Sequence, residues 1–117
     1  MTTSMTRDVL QRRMRTLAVA TIRLTDELPR TRAADVIGRQ LVRSVTSVAA
    51  NYRAACRARS RKEFIAKMGI VLEEADETAF WLELLVETQT FPPDQINKLL
   101  QEANEFDSDL RGLPANV

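Results

Sequence analysis

The sequence predicts an all-α protein, an antiparallel four-helix bundle with up-down-up-down topology. Three glycines and four prolines among 117 residues are few for a protein built of tight turns. Apolar side chains recur at spacings of three and four residues along four separate segments, which indicates amphipathic helices. Because short connections join these segments, consecutive helices are expected to lie side by side and antiparallel, in one domain that spans residues 1–117.

The first two predicted helices each have a single apolar seam. The first covers about residues 7–28 and ends at Pro29, because the residue before a proline disfavours helical geometry. The second covers about residues 33–57. The two seams consist of Leu10, Met14, Leu17, Thr21, Leu24 and Leu28, and of Ile37, Leu41, Val45, Val48 and Tyr52.

The third predicted helix covers about residues 61–87 and begins with a capping box, formed by Ser60 and Glu63. Its two adjacent apolar stripes predict contact with more than one neighbouring helix. These stripes are Phe64, Met68, Val71, Ala75, Thr78, Leu82 and Leu85, and Ile65, Leu72, Ala79 and Val86.

The fourth predicted helix covers about residues 93–111. Pro92 and Pro93 suit its first positions, and Gly112 and Pro114 end it. Its apolar residues are Ile96, Leu99, Ala103, Phe106, Leu110 and Leu113.

The residue types present exclude the common catalytic centres. The chain has no histidine, which removes histidine metal sites and Ser-His-Asp or Cys-His catalysis. The single cysteine, Cys56, can form neither an internal disulfide nor a zinc cluster, and we expect it to be a packing residue. Several carboxylates lie close together on the third predicted helix, but a di-iron bundle also needs histidine from two helices. We therefore expect a protein that is not an enzyme and holds no metal or cofactor.

The two halves of the chain have opposite charge, although the whole carries only +1. Residues 1–62 contain 14 Lys and Arg and 4 Asp and Glu, a net charge of +10, whereas residues 63–117 contain 3 and 12, a net charge of −9. A basic face of one subunit can meet an acidic face of the next head to tail, and such contacts close into rings. The longest stretch without a charged residue, residues 44–52, is too short to cross a bilayer, so we expect a cytoplasmic protein without membrane contact.

Five segments of the second and third predicted helices occur in a specific order: residues 40–44 (QLVRS), 47–55 (SVAANYRAA), 60–67 (SRKEFIAK), 73–77 (EEADE) and 80–85 (FWLELL). With this order and spacing the chain closely resembles, over about residues 24–110, the bacterial four-helix-bundle family also called 23S rRNA intervening-sequence proteins. The resemblance implies an antiparallel bundle that assembles as a homo-oligomer, typically a pentameric ring, with no established enzymatic activity. A more distant resemblance is to the accessory variability determinants of diversity-generating retroelements, pentameric bundles that bind nucleic acid and reverse transcriptase.

A polar stripe runs beside the apolar face of the second predicted helix. It consists of Gln40, Ser44, Ser47 and Asn51. Two interpretations are open: a contact line for a ligand or nucleic acid, and a seam between helices or subunits in which these side chains satisfy buried polar groups. Arg43 lies in the same motif and is expected to pair across the bundle with Glu74 or Glu77, because a charge near the core needs a partner.

Four apolar residues lie off the core seam of the third predicted helix, at Ile70, Phe80, Trp81 and Leu84. Such a patch indicates an interface, although a slightly rotated core face would also explain it. The family resemblance favours the interface. We therefore expect the main partner of the chain to be other copies of itself.

The most basic segment connects the second and third predicted helices, at the end of the bundle where the first helix starts. The candidate nucleic-acid contacts at this end are Arg12, Arg13, Arg53, Arg57, Arg59, Arg61 and Lys62. Arg61 and Lys62 oppose the positive end of the third helix dipole, a conflict that an anionic partner would remove. The other interpretation is a solvated surface partly neutralised by acidic residues of the fourth helix. The sequence thus predicts a non-enzymatic, homo-oligomeric scaffold, with sequence-independent RNA or DNA binding as the alternative.

Overall fold

The computed structural model describes residues 3–112, which form four α-helices joined by short turns. They are α1 (Thr3–Asp26), α2 (Arg32–Cys56), α3 (Arg61–Glu87) and α4 (Pro93–Arg111). The bounds of α3 and α4 are those predicted, whereas α1 lies a few residues nearer the N-terminus than its predicted range of 7–28. Leu113 and Pro114 lie outside the described residues.

The end of α1 explains this difference. After Asp26 the chain tightens, because Glu27 N donates to Leu24 O and Leu28 N donates to Thr25 O, which are bonds of the 3₁₀ type. The helix therefore loses its regular geometry before Pro29 is reached. Leu28 still packs against the core from this turn.

The other three helices start either at a residue whose side chain caps the first turn or at a proline. Thr31 Oγ1 accepts from Ala34 N at 3.1 Å at the start of α2, and Ser60 Oγ accepts from Glu63 N at 3.1 Å at the start of α3. The capping box at α3 differs from the predicted form, because the Glu63 carboxylate accepts from Arg59 N, at 3.4 Å. α4 begins at Pro93, without a side-chain cap.

Helices that are consecutive in sequence are neighbours in space. α2 contacts α1 and α3, and α4 contacts α3 and α1, with the most extensive contact between α2 and α3. Within residues 3–112 no Cα atoms of the diagonal pairs, α1 with α3 and α2 with α4, come within 8 Å of each other. The helices thus occupy the corners of a square in an elongated body of 44 × 24 × 19 Å, and the predicted all-α up-down-up-down bundle is confirmed. None of the helices described is long and apolar enough to cross a membrane.

The core between the helices is built from the predicted seams. Its largest fully buried side chains include Tyr52, Phe106, Met14, Leu41, Leu82, Leu85 and Ile96. The second stripe of α3 departs from the prediction, because Ile65 is 48% exposed while Leu72 and Val86 are only partly buried. Successive side chains of a helix are rotated by about 100° around its axis. Residues beside the seam therefore lie at the edge of the contact with neighbouring helices and stay partly exposed.

Candidate assembly and anion-binding surfaces

The apolar patch predicted on α3 divides into exposed and packed residues. Phe80 is 49% exposed and Ile70 is 40% exposed, whereas Trp81 and Leu84 pack partly against the core. The Phe80 and Trp81 rings meet edge to face, with centroids 5.0 Å apart and planes at 68°. Phe80 is therefore held at the surface by a neighbour that is itself anchored in the bundle.

A polar network fixes Trp81 and joins α2 to α3. Arg43 Nη1 lies 2.8 Å from Glu74 Oε2, and Arg43 Nη2 donates to Glu77 Oε1. The same Glu77 oxygen accepts from Trp81 Nε1 at 3.1 Å, while Arg43 Nε donates to Gln40 Oε1 at 2.9 Å. These hydrogen bonds, from Arg43 first and then from Trp81, lower the pKa of Glu77 because they stabilise its charged form.

The rest of the polar stripe on α2 bonds to protein atoms. Ser44 is fully buried, and Thr78 Oγ1 of α3 donates to its Oγ at 2.9 Å. Asn51 Nδ2 donates within α2 to Ser47 O at 2.9 Å and to Ser47 Oγ at 3.0 Å. The stripe therefore serves the α2–α3 seam at Ser44 and local contacts elsewhere.

A second apolar surface lies on α1, where the sequence analysis predicted none. Val19 is 48% exposed and Ile22 is 37% exposed, and Arg15 and Arg23 flank them on the same outward side. Val19 and Ile22 differ from the seam residues only in register, so their exposure follows from the rotation of α1 against the core. The signal available in the sequence was a valine and an isoleucine at helical spacing outside the seam.

A basic concavity lies where the end of α2 meets the start of α3. It has a volume of about 540 Å³, is open to solvent, and is lined by four cations, Arg53, Arg57, Arg59 and Lys67, and by Glu63. The sequence analysis singled out the three arginines but missed Lys67, because this lysine lies nearly two turns inside α3, past the basic segment. The carboxylate of Glu63 accepts from the backbone at Arg59, and the four cations have no ion-pair partner among residues 3–112.

The remaining predicted basic residues have different surroundings. Arg61 and Lys62 are exposed in the first turn of α3, and Arg12 is exposed on α1. Arg13 lies 2.8 Å from Asp109 Oδ2 and 3.4 Å from Glu102 Oε1, with its guanidinium 4.3 Å from the Phe106 ring centroid. Arg13 thus joins α1 to α4 by charge and by packing.

Buried Tyr52 and partly buried Cys56 lie one turn apart near the end of α2. Tyr52 is 1% exposed, and its pKa is raised first by burial and then by the neighbouring Cys56 thiol. The nearby Arg7 places its guanidinium 5.6 Å from the Phe64 ring centroid. The start of α1 therefore lies at the same end of the bundle as the turn between α2 and α3.

The fold and these surfaces define a class: a small helical bundle with an exposed aromatic patch and a basic end. In residues 3–112, no three Cys, Asp or Glu side chains come together in a way that could hold a metal ion. The family described as 23S rRNA-intervening sequence protein matches residues 7–112, and the chain belongs to this family.

One solved structure is similar over nearly the whole chain. It is a Bacteroides thetaiotaomicron protein described as having unknown function and as coming from the S23 ribosomal protein family. The two chains are 34% identical and superpose with a TM-score of 0.82, over 90% of this chain and 94% of the other. A comparison with curated proteins finds no match. The similarity supports the bundle over 90% of the chain. Because the function of that protein is also unknown, the function of this chain is inferred from its surfaces.

Proposed function

We propose that this chain is a non-enzymatic scaffold, one four-helix domain per subunit, that assembles with copies of itself into a closed ring of five. The observation that carries the proposal is Phe80, a large aromatic side chain that is half exposed and held in place by Trp81. Covering such a side chain removes apolar surface from water at little cost in side-chain entropy. The number five rests on the resemblance to bundles that form pentameric rings.

The charged side chains of α3 support a structural role over a catalytic one. The largest network of charged side chains consists of Arg43, Glu74 and Glu77. Its hydrogen bonds join α2 to α3 and orient Trp81. A catalytic group needs a substrate-facing donor or acceptor in a concave site. The concavity at the basic end is lined by cations and by Glu63, whose carboxylate accepts from the backbone.

Mass measurement tests the assembly directly. Size-exclusion chromatography with light scattering at micromolar concentration should give about five times the chain mass of 13.3 kDa. Phe80→Ala should lower this mass while the thermal unfolding of the subunit changes little, because the side chain is half exposed. Trp81→Ala is a poorer probe, since Trp81 also packs against the core. A wild-type protein that stays monomeric across concentrations would overturn the proposal.

A second candidate function is sequence-independent binding of RNA or DNA at the basic end. The concavity lined by Arg53, Arg57, Arg59 and Lys67 favours it, because four cations converge on one open space. Phosphate groups of any sequence can occupy such a site, and a ring would repeat it in every subunit. We include a cytoplasmic location in this proposal, because the protein would encounter RNA and DNA there.

Salt dependence distinguishes this binding from adventitious adhesion. Fluorescence anisotropy with a short single-stranded RNA should show affinity that falls steeply as salt rises from about 50 mM. Arg57→Gln with Lys67→Gln should weaken binding and reduce the slope of log affinity against log salt by about 0.7 for each lost phosphate contact. Arg39→Gln is the matched control, since Arg39 is exposed on α2 and pairs with Asp35 away from the concavity. No binding by the wild type at about 50 mM salt would leave the scaffold as the only function.

A further inference from the structure

We infer that the subunits join through α1 of one copy and α3 of the next, with Val19 and Ile22 packed on Phe80 between two rows of complementary charge. This inference rests on the proposed self-assembly and names its two surfaces. Each surface has exposed apolar side chains at its centre, since Val19, Ile22 and Phe80 are 48%, 37% and 49% exposed. The occupant of each surface is a second copy of this chain.

The position of the two helices makes the contact head to tail. α1 and α3 are diagonal in the square bundle, with no Cα–Cα distance under 8 Å in the described residues, so their outer faces point away from each other. One copy can therefore present α1 to one neighbour and α3 to another at the same time. A heterologous contact of this kind generates a ring when the rotation closes, and a filament when it does not.

The charges on the two faces are opposite. α1 contains five arginines and two aspartates, and Arg15 and Arg23 lie exposed beside its apolar pair. From residue 68 onward α3 contains acidic residues and no Lys or Arg, and Glu73 and Glu83 lie exposed beside Phe80. Opposite charges around an apolar centre select the partner and its register, whereas two α1 faces or two α3 faces repel each other.

The levels of these residues along the bundle also agree. Gly38 of α2 faces Thr25 of α1, and Ser44 of α2 bonds to Thr78 of α3. Since each helical residue rises by about 1.5 Å, counting along the helices from these contacts places Arg15 level with Glu73 and Glu74. By the same count Arg23 is level with Leu82 and Glu83.

The matching levels favour a ring over a filament. α1 and α3 run parallel in an up-down-up-down bundle, so a neighbour related by rotation about an axis along the helices meets Arg15 with Glu73 and Arg23 with Glu83. The same rotation brings Val19 and Ile22 onto Phe80. No shift along the axis is needed to align the two faces, and a contact without such a shift can close.

Charge reversal on one face at a time, followed by reversal on both, tests the pairing. Arg15→Glu with Arg23→Glu should raise the concentration at which the assembly dissociates at least tenfold, and Glu73→Lys with Glu83→Lys should do the same. The chain with all four changes should assemble again, because its faces are complementary with exchanged signs. Arg30→Glu with Arg32→Glu is the matched control, since Arg30 is exposed in the turn between α1 and α2 and Arg32 is exposed as the first residue of α2. Circular dichroism checks that every variant remains helical.

Crosslinking gives an independent readout of the same contact. In a Cys56→Ser background, a short bis-maleimide should link subunits of a chain that carries both Asp26→Cys and Glu87→Cys, and should give dimers and higher species. Asp26 and Glu87 are exposed at the ends of α1 and α3, outside the apolar centre, and the same count places them within about 3 Å of one level. Chains with either new cysteine alone should remain uncrosslinked, because the contact joins unlike faces.

The outcomes separate this inference from the assembly itself. A monomeric wild type removes both. A wild-type oligomer that survives each charge reversal, or that fails to return in the four-change chain, overturns the α1–α3 contact and leaves self-assembly standing. Efficient crosslinking of Glu87→Cys alone would replace the head-to-tail contact with a symmetric one.

Discussion

Thr78 Oγ1 lies 2.9 Å from Ser44 Oγ, and both side chains are buried between α2 and α3. Thr78 Oγ1 also lies 2.8 Å from Glu74 O, its own backbone four residues earlier. Ser44 Oγ lies 3.3 Å from Leu41 O. The two hydroxyls therefore share a hydrogen bond across the α2–α3 seam, and each also lies within hydrogen-bonding distance of a carbonyl of its own helix.

The first prediction concerns the space at Ser44. Ser44→Ala should lower the free energy of unfolding by about 1 kcal/mol or less, because Thr78 keeps the Glu74 carbonyl as acceptor. Ser44→Val should cost about 1–3 kcal/mol, because added methyl groups have no room in a fully buried seam. Urea unfolding of the two variants measures the difference. Equal stability of the two variants would show that the seam is loosely packed.

The second prediction concerns Thr21, whose hydroxyl is buried without a hydrogen-bond partner among the described residues. Its side chain is 0% exposed. Thr21→Val keeps the shape and removes the polar atom, so it should raise the free energy of unfolding by about 1 kcal/mol. Thr21→Ala is the comparison, which should destabilise the bundle because it removes packing as well. Loss of stability in Thr21→Val would mean that the hydroxyl is satisfied in solution.

The third prediction concerns acid stability through Glu77. Its pKa lies below the ordinary value of 4.5 because Arg43 and Trp81 donate hydrogen bonds to the charged form. A pKa that is lower in the folded state adds stability above pH 4.5, and that stability disappears as the pH falls through the folded value. Glu77→Gln should therefore melt below the wild type at neutral pH, with the gap narrowing at about pH 3.

Differential scanning calorimetry at the two pH values measures this gap. Glu27→Gln is the matched control, because it removes an exposed carboxylate in the turn after α1 that has no ion pair in the described part of the chain. The gap for Glu27→Gln should stay the same at both pH values. A gap for Glu77→Gln that does not change between the two pH values would show that the contact with Arg43 adds no stability.

The fold was predictable because the seam residues of all four helices follow the helical period. Leu41, Leu82 and Ile96 occupy seam positions and are all 0% exposed. Ser60 lies just before α3 and Pro93 is the first residue of α4. These residues mark the helix starts in the sequence, so the bounds of α3 and α4 could be predicted as well. The family resemblance gave the same prediction of a four-helix bundle, and the family matches residues 7–112.

The surfaces were less predictable, because exposure depends on how each helix is rotated against its neighbours. Trp81 and Phe80 are adjacent in sequence, yet one packs against the core and the other is half exposed. Lys67 joins the basic concavity across the α2–α3 contact, which a charge count along the chain does not reveal. Arg13 lies in an arginine-rich run but forms an ion pair with Asp109, which is far from it in the sequence.

The last prediction concerns the turn between α3 and α4, where Gln89 has a φ of 53°. Thr90 N donates to Leu85 O and Gln89 N donates to Val86 O, which is the hydrogen-bond pattern of a Schellman motif, usually completed by glycine in the left-handed region. A residue with a Cβ is strained there, so Gln89→Gly should raise the free energy of unfolding by about 0.5–1 kcal/mol, after the entropy of the unfolded glycine is subtracted. Gln101→Gly, in the middle of α4, should lower it by about 1 kcal/mol. Urea unfolding of both variants gives the two signs, and a loss of stability in Gln89→Gly would show that the strain at this position is offset by contacts of the glutamine side chain.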